Sequence, residues 1–322
     1  MIQAIAQVSI ADIRSAQARL SQVAIRSPLL ACNAAPADRQ VSLKLENLQP
    51  IGSFKLRPIG NAILTRPGAT LEEGIYTSSS GNSGLAVAWM ARRLGIRAAV
   101  VVPDNAPQAK LARLRLWGAR VIPVSLDDWW RSVENPDHAG AHGLYIDAVR
   151  DPAALAGDGT VALEILEDMP DVEAILVPFG GGGLACGTAC AVRALKPDVK
   201  VIACELDSAQ PFAAALRAGK IVSTPCAPGF VSGVGYGAVL PEMWPLAREM
   251  IDGSITVSLA EVAAAIKLLA EQHKVIAEGA GAVAVAAALA GRYALRRVCA
   301  VVSGGNIGNE MLATILAGQV PR

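Results

Sequence analysis

Histidine and aromatic residues are scarce in this chain: three histidines, and 4% Phe, Trp and Tyr together. So few imidazoles leave little for a metal centre. His138 and His142 have an i, i+4 spacing, but Gly140 and Gly143 interrupt any helix there and no third ligand follows, so no metal is expected. The cysteines (Cys32, Cys186, Cys190, Cys204, Cys226 and Cys299) form no Cys-x-x-Cys pair, and most lie in apolar segments. Buried reduced thiols are expected, rather than disulfides. Charge is balanced at +1 with no basic run, so nucleic acid is not an expected partner. The longest small-apolar run, Gly279 to Gly291 between Glu278 and Arg292, is thirteen residues. That is too short for a bilayer and reads as a buried helix. Asp12 and Arg14 fall early, with no signal-type apolar block, and a cytoplasmic protein is the expectation.

What the chain does have is 52% hydrophobic residues over 322 positions, enough for one large or two medium domains. Ser9 with Asp12 opens a helix over 8–21, and Val41 to Leu45 alternates as a strand. A helix follows Lys55 to about Leu64. Strand, glycine-rich turn and helix then repeat: strands at 74–77, 97–102 and 120–124, with helices at 83–94 and 107–117 between them. Residues 125–150 read as a helix and loops ending at a domain junction. Beyond it come helices at 152–168 and 184–195, strands at 174–177 and 201–203, and a long glycine- and proline-bearing loop at 223–241. Helices at 259–272 and 279–289, a strand at 298–302 and a helix from Gly308 complete the chain. The pattern predicts an α/β protein with mostly parallel, helix-covered sheets. Residues 1–72 and 151–322 are expected to form a large domain, and 73–150 a smaller one.

In such sheets ligands bind beyond the carboxyl ends of strands, and three turns occupy that place: Ser78–Ser83, Gly180–Gly183 and Ser303–Asn306. Four successive glycines expose backbone N–H groups that can curve around an anion, and the helix from Leu184 adds its positive end. No Gly-Lys-Ser/Thr follows, and the spacing is not Gly-x-Gly-x-x-Gly. Ser79, Ser80, Gly81, Asn82 and Ser83 offer hydroxyls, an amide and N–H donors suited to a carboxylate, although ordinary capping explains them equally well. Lys55, in Gly52-Ser53-Phe54-Lys55-Leu56-Arg57, would be a surface lysine if met alone. Held among apolar groups it becomes a nucleophile or base. A lysine and two anion-binding turns together suit pyridoxal 5′-phosphate bound to an amino acid.

The chain resembles the type II (tryptophan synthase β-like) pyridoxal-phosphate enzymes, in the serine/threonine dehydratase and serine racemase group. The resemblance runs from Leu45 to Asn306. Ser53-Phe54-Lys55-x-Arg57 resembles the family's Schiff-base lysine motif, Ser80-Gly81-Asn82 its substrate loop, and Gly180 to Leu184 its phosphate loop. Glu278-Gly279-Ala280-Gly281 resembles a segment bordering the site, and Ser303 the residue facing the pyridine nitrogen. The resemblance implies a type II fold with Phe54, Lys55, Asn82, Gly180, Gly181, Gly182, Gly183, Leu184, Gly233, Glu278 and Ser303 around the cofactor. Asn82 would meet its phenolic oxygen. Ser79 to Ser83 and Val149 would face the substrate, with Lys55 and Ser80 as catalytic residues.

Departures bear on substrate. Ser83 stands where the family commonly has histidine, Asp147-Ala148-Val149 where relatives have His-Pro, and Val231-Ser232-Gly233 where they have Ala-Asp-Gly. Smaller residues there leave room for a β-substituent larger than methyl. Glu205 matches one ligand of a racemase cation site, but Pro211 replaces the aspartate. With few residues following Asn306, the regulatory domain of biosynthetic threonine dehydratases is not expected. Water elimination from a 3-hydroxy amino acid by a homodimer or larger oligomer is expected. Two rivals stand beside it: racemisation, in which Ser80 protonates the face opposite Lys55, and a non-catalytic ligand-binding member.

Overall fold

A computed structural model describes residues 4–227 and 229–321. In chain order its strands are β1 (Leu29–Ala31), β2 (Gln40–Lys44), β3 (Ile75–Ser78), β4 (Ala98–Pro103), β5 (Arg120–Val124), β6 (Leu144–Tyr145), β7 (Ala174–Pro178), β8 (Lys200–Leu206), β9 (Gly253–Val257) and β10 (Arg297–Val301). The helices are α1 (Ile10–Leu20), α2 (Leu56–Leu64), α3 (Asn82–Leu94), α4 (Gln108–Leu116), α5 (Leu126–Glu134), α6 (Pro152–Asp168), α7 (Gly183–Leu195), α8 (Pro211–Ala218), α9 (Trp244–Met250), α10 (Leu259–Leu268), α11 (Gly279–Ala290) and α12 (Asn309–Leu316). One sheet has the order β1-β2-β10-β7-β8-β9, with β1 alone antiparallel to its neighbour. The other, β5-β4-β3-β6, is wholly parallel.

Strand periodicity explains how the larger sheet is covered. Ile175 and Val177 of β7 enter one core, with residues of α1, α6 and α7, while Ala174 and Leu176 enter another with α10 and α11. A strand buried on both faces reads as a continuous apolar run because successive side chains serve opposite layers. The apolar run at 279–291 is α11, buried along nearly its whole length. Among the described residues no helix is long and apolar enough to cross a membrane. Ser9 caps α1 with a full capping box to Asp12. The cysteines are free thiols, all buried except Cys226.

Several elements lie outside the expected pattern. β1 and β6 are three and two residues long, too short for periodicity to register. β9 buries only Ile255 and Val257, and α8 and α9 are short helices begun by prolines, which read equally as turns. The helix expected over 259–272 stops as α10 at Leu268 and continues as a π-turn, Leu269–His273, closed by Lys274 at φ 59°.

The lysine turn is tied to the larger sheet by a buried ionic cluster. Arg57, in the first turn of α2, donates Nε and Nη2 to Glu46 at 2.8 Å each, and Nη1 and Nη2 to Glu164 on α6 at 2.8 Å each. Lys44, fully buried at the end of β2, pairs with Glu164 at 2.6 Å and donates to the Ser27 carbonyl. Two cations meet two carboxylates, which is what makes burial of four charges tolerable.

Arg57→Met leaves Glu46 unpaired and Glu164 with Lys44 alone, and we expect a loss of about 3–5 kcal/mol in urea unfolding. The cluster also sets an acid limit. Burial alone would raise the Glu164 carboxyl, but the charges of Arg57 and Lys44 outweigh it and hold the group below its ordinary 4.5. A depressed folded value means that the stabilisation is present above about pH 4.5 and is lost as pH falls through the folded value. Thermal melts across acid pH should show this loss.

Candidate active site

The lysine turn is built against the turn that follows β10. Phe54 N–H donates to the Ser303 carbonyl at 2.9 Å, and Gly305 N–H donates to the Gly52 carbonyl at 2.9 Å, around a bridge between Ser53 and Gly304. Gly52 has φ 77°, and a Cβ there would lie 2.5 Å from Asn306 Oδ1, so both conformation and space demand glycine. This pairing brings residues 54 and 303 together across the chain. Lys55 follows, half-buried, with Nζ 4.7 Å from the centre of the Phe54 ring. Burial pushes its amine below the ordinary lysine value, against the opposing pull of Asp158 and Asp147. Ser303 is buried, and its hydroxyl donates to the Ala280 carbonyl at 3.3 Å.

The tetraglycine turn joins β7 to α7. A Cβ on Gly180 would strike the Gly233 carbonyl oxygen at 2.1 Å, and Gly182 has φ 91° with Met243 Cγ 2.7 Å from its Cβ position. Among the described residues no acceptor within the protein is paired with the backbone N–H groups of Gly181, Gly182, Gly183 or Leu184. Unpaired donors at the positive end of α7 form an anion cradle. The buried Leu184 side chain anchors it in the core below. Asp158 connects the two turns: it interacts electrostatically with Lys55, and its Oδ2 is 2.9 Å from the Cβ position of Gly183. An amine and a phosphate cradle sharing one wall fit pyridoxal phosphate.

The serine-rich loop closes over this region from the other sheet. Ser79, Ser80, Gly81, Asn82 and Ser83 are all partly exposed between β3 and α3, and Gly81 N–H donates to Ser79 Oγ at 3.2 Å. The Asn82 amide donates to Glu278 Oε1 at 2.5 Å, and its carbonyl oxygen accepts from Asn306 Nδ2 at 2.6 Å. Asn306 also donates to the Ile51 carbonyl and accepts from Arg113 of α4. Both polar ends of Asn82 are thus oriented by protein, and the second N–H of its amide stays available to a cofactor oxygen. Val149 packs at the cradle: its Cγ2 is 3.2 Å from the Cβ position of Gly181, and Tyr236 Cε2 is 3.4 Å from that of Gly180. Gly233 is exposed at φ 90° and borders Ala280.

Glu205 is occupied structurally. Its carboxylate accepts from the N–H groups of Phe212 and Ala213 at 2.8 Å and from Ser254 Oγ at 2.6 Å, capping α8. Among the described residues no three His, Cys, Asp or Glu side chains stand together to hold a metal ion. Three residues of the site escaped sequence reasoning: Asn306 as a clamp, Arg113 and Asp158. Only Asp158 left a signal, as a charge set between Gly157 and Gly159 in the apolar first half of a helix.

Parallel helix-covered sheets, a desolvated lysine turn and a glycine cradle at the carboxyl ends of strands define a type II pyridoxal-phosphate enzyme. A family model described as "Pyridoxal-phosphate dependent enzyme" matches residues 20–304, and the chain belongs to that family. It is 35% identical to L-threonine ammonia-lyase of Thermotoga maritima over 315 residues, covering 96% of this chain and 78% of that one. It is 33% identical to serine racemase of Oryza sativa subsp. indica, covering 92% and 90%. The structure of maize serine racemase superimposes with a TM-score of 0.88 at 30% identity, covering 97% of this chain and 98% of that one.

Asn306→Ala removes one side chain that ties the lysine turn, the serine loop and α4 together. Amide exchange over 79–84 should rise, with a stability loss of about 1–3 kcal/mol in denaturant unfolding.

Proposed function

We propose that this chain is an ammonia-lyase that removes water from a 3-hydroxy-L-amino acid, giving a 2-oxo acid and ammonia. The observation that carries the reading is the Lys55 amine, desolvated beside the glycine cradle and below its ordinary basicity. Lowered basicity frees a larger share of the amine from its proton, and an unprotonated amine can take the Cα proton onto Nζ. When bound, the cofactor would supply the electron sink that weakens the Cα–H bond. Gly180, Gly181, Gly182, Gly183 and the start of α7 would hold its phosphate through backbone N–H groups. Phe54, Asn82, Gly233, Glu278 and Ser303 would border its ring, with Ser303 offering a neutral hydroxyl.

Ser79, Ser80, Gly81, Asn82 and Ser83 would fix the substrate carboxylate at the N-terminus of α3. Val149 and the glycines at 233, 235 and 237 would surround the β-carbon, so phenylserine or another bulky 3-hydroxy amino acid fits alongside threonine and serine. The β-hydroxyl leaves as water when the proton that Lys55 took from Cα is passed to it, which returns the amine to its neutral form. The enamine product takes up water and releases ammonia, which balances the reaction. Similarity to L-threonine ammonia-lyase over 96% of this chain supports elimination. A large domain of residues 1–72 and 151–322, a small one of 73–150, and a cytoplasmic homo-oligomer belong to the same reading.

One observation favours racemisation as a second reading. The Ser80 hydroxyl makes no hydrogen bond among the described residues, which leaves it available to protonate the face opposite Lys55.

The test is 2-oxo acid release from threonine, serine, 3-hydroxyaspartate and phenylserine by cofactor-loaded enzyme. We expect release from at least one, a rise in rate with pH as Lys55 loses its proton, and a fall of roughly 10²- to 10⁴-fold in Lys55→Ala. Appearance of D-amino acid without 2-oxo acid, abolished by Ser80→Ala, would replace the lyase reading with racemisation. Normal elimination by Lys55→Ala would end both.

A further inference from the structure

Asp158 lies beneath the site and has no part in the reaction above. The residue is fully buried on α6, and neither carboxyl oxygen has a hydrogen-bond partner among the described residues. Its neighbours explain the placement. A Cβ at Gly157 would lie 2.5 Å from the Arg57 carbonyl oxygen, one at Gly159 would lie 2.9 Å from the Gly187 carbonyl oxygen, and one at Gly187 would lie 2.6 Å from the Leu155 carbonyl oxygen. Bare backbone at these points lets α6 press directly on α2 and α7, and the carboxyl between them is driven under the tetraglycine turn. There its Oδ2 stands 2.9 Å from the Cβ position of Gly183.

The charged and titratable groups around it are few. Lys55 and Arg57 face it from the lysine turn and α2, Glu46 from the segment after β2, and Cys186 from α7. Arg57 is already held bidentately by Glu46 and Glu164. An ionised Asp158 would therefore oppose a phosphate dianion across the Gly183 backbone, with Lys55 alone to offset it. A neutral carboxylic acid removes that repulsion and brings an O–H donor to the cradle.

We propose that Asp158 is a positioning residue for the cofactor phosphate: a carboxylic acid that keeps its proton beneath the tetraglycine turn and admits the dianion in that neutral form. Burial pushes this carboxyl up to about 8, with Lys55 pulling the other way, so the acid form prevails at neutral pH. The inference holds whether the enzyme eliminates or racemises.

The experiment titrates cofactor-free protein with 4′-deoxypyridoxine 5′-phosphate from about pH 6.5 to about pH 9.5, by calorimetry. This probe keeps the ring and phosphate but has a methyl group in place of the aldehyde, so Lys55 forms no covalent link to it. Wild-type Kd should be level at low pH and climb towards tenfold per pH unit above about pH 8. Asp158→Asn, neutral throughout, should remain level, within about threefold of the wild-type low-pH value. Asp158→Ser carries the same expectation should the Asn variant fail to fold. Melting temperature gives a ligand-free check. A folded value of about 8 lies above the ordinary 3.8, so the stabilisation is lost as pH rises through the folded value. Asp158→Asn should therefore melt above wild type near pH 9, with the gap closing towards pH 5. Equal pH slopes for wild type and the neutral variants overturn the proposal. So does failure of the probe to bind at any pH; parallel binding of pyridoxal phosphate would show that the cradle itself still stands.

Discussion

A guanidinium buried between two carboxylates is the constraint on which the rest of the site depends. Arg57 cannot move without stranding Glu46 and leaving Glu164 to Lys44 alone. Because Arg57 lies two residues beyond Lys55, the same cluster sets where the lysine turn begins. Glu46 follows the strand β2, Glu164 belongs to α6, and Lys44 completes the charge balance. The position of the Lys55 amine is thus referred to the larger sheet and to its covering helix at once.

Around that fixed point, backbone does most of the positioning. Gly52, Gly180 and Gly182 sit where a side chain would collide or where φ is positive, and Gly157, Gly159 and Gly187 let three helices meet without intervening side chains. Close contact buries Asp158 fully and Lys55 in part, and desolvation follows. It lowers the Lys55 amine and raises the Asp158 carboxyl, moving both groups towards their neutral forms. A site with few permanent charges of its own suits the proton transfer and phosphate binding proposed for it. The clamp of Asn82, Glu278 and Asn306 adds the second sheet's contribution, carrying the serine loop to the lysine turn.

Much of this was legible in the residues. Strand, glycine-rich turn and helix recur along the chain, and the turns at 78–83, 180–183 and 303–306 each follow a strand and precede a helix, as their spacing predicts. The signals that failed were those of short or peripheral elements. β1 and β6 carry too few residues for alternation, and α8 and α9 begin at prolines that serve turns as readily as helices. Glu205 matched a cation ligand by pattern, yet its oxygens are held by two backbone N–H groups and a hydroxyl.

By itself the sequence determined the longer periodic elements and the glycine turns, and it offered Lys55 as a candidate. The first two follow from local chemistry, periodic burial and conformations open to glycine, while the candidate lysine stands out only beside those turns. Only the tertiary structure decided that Asp158 lies under the phosphate cradle, that Asn306 holds Asn82, and that Arg57 is matched by carboxylates 11 and 107 residues away. Those relations arise where helices cross and strands pair over long separations, so no local pattern carries them.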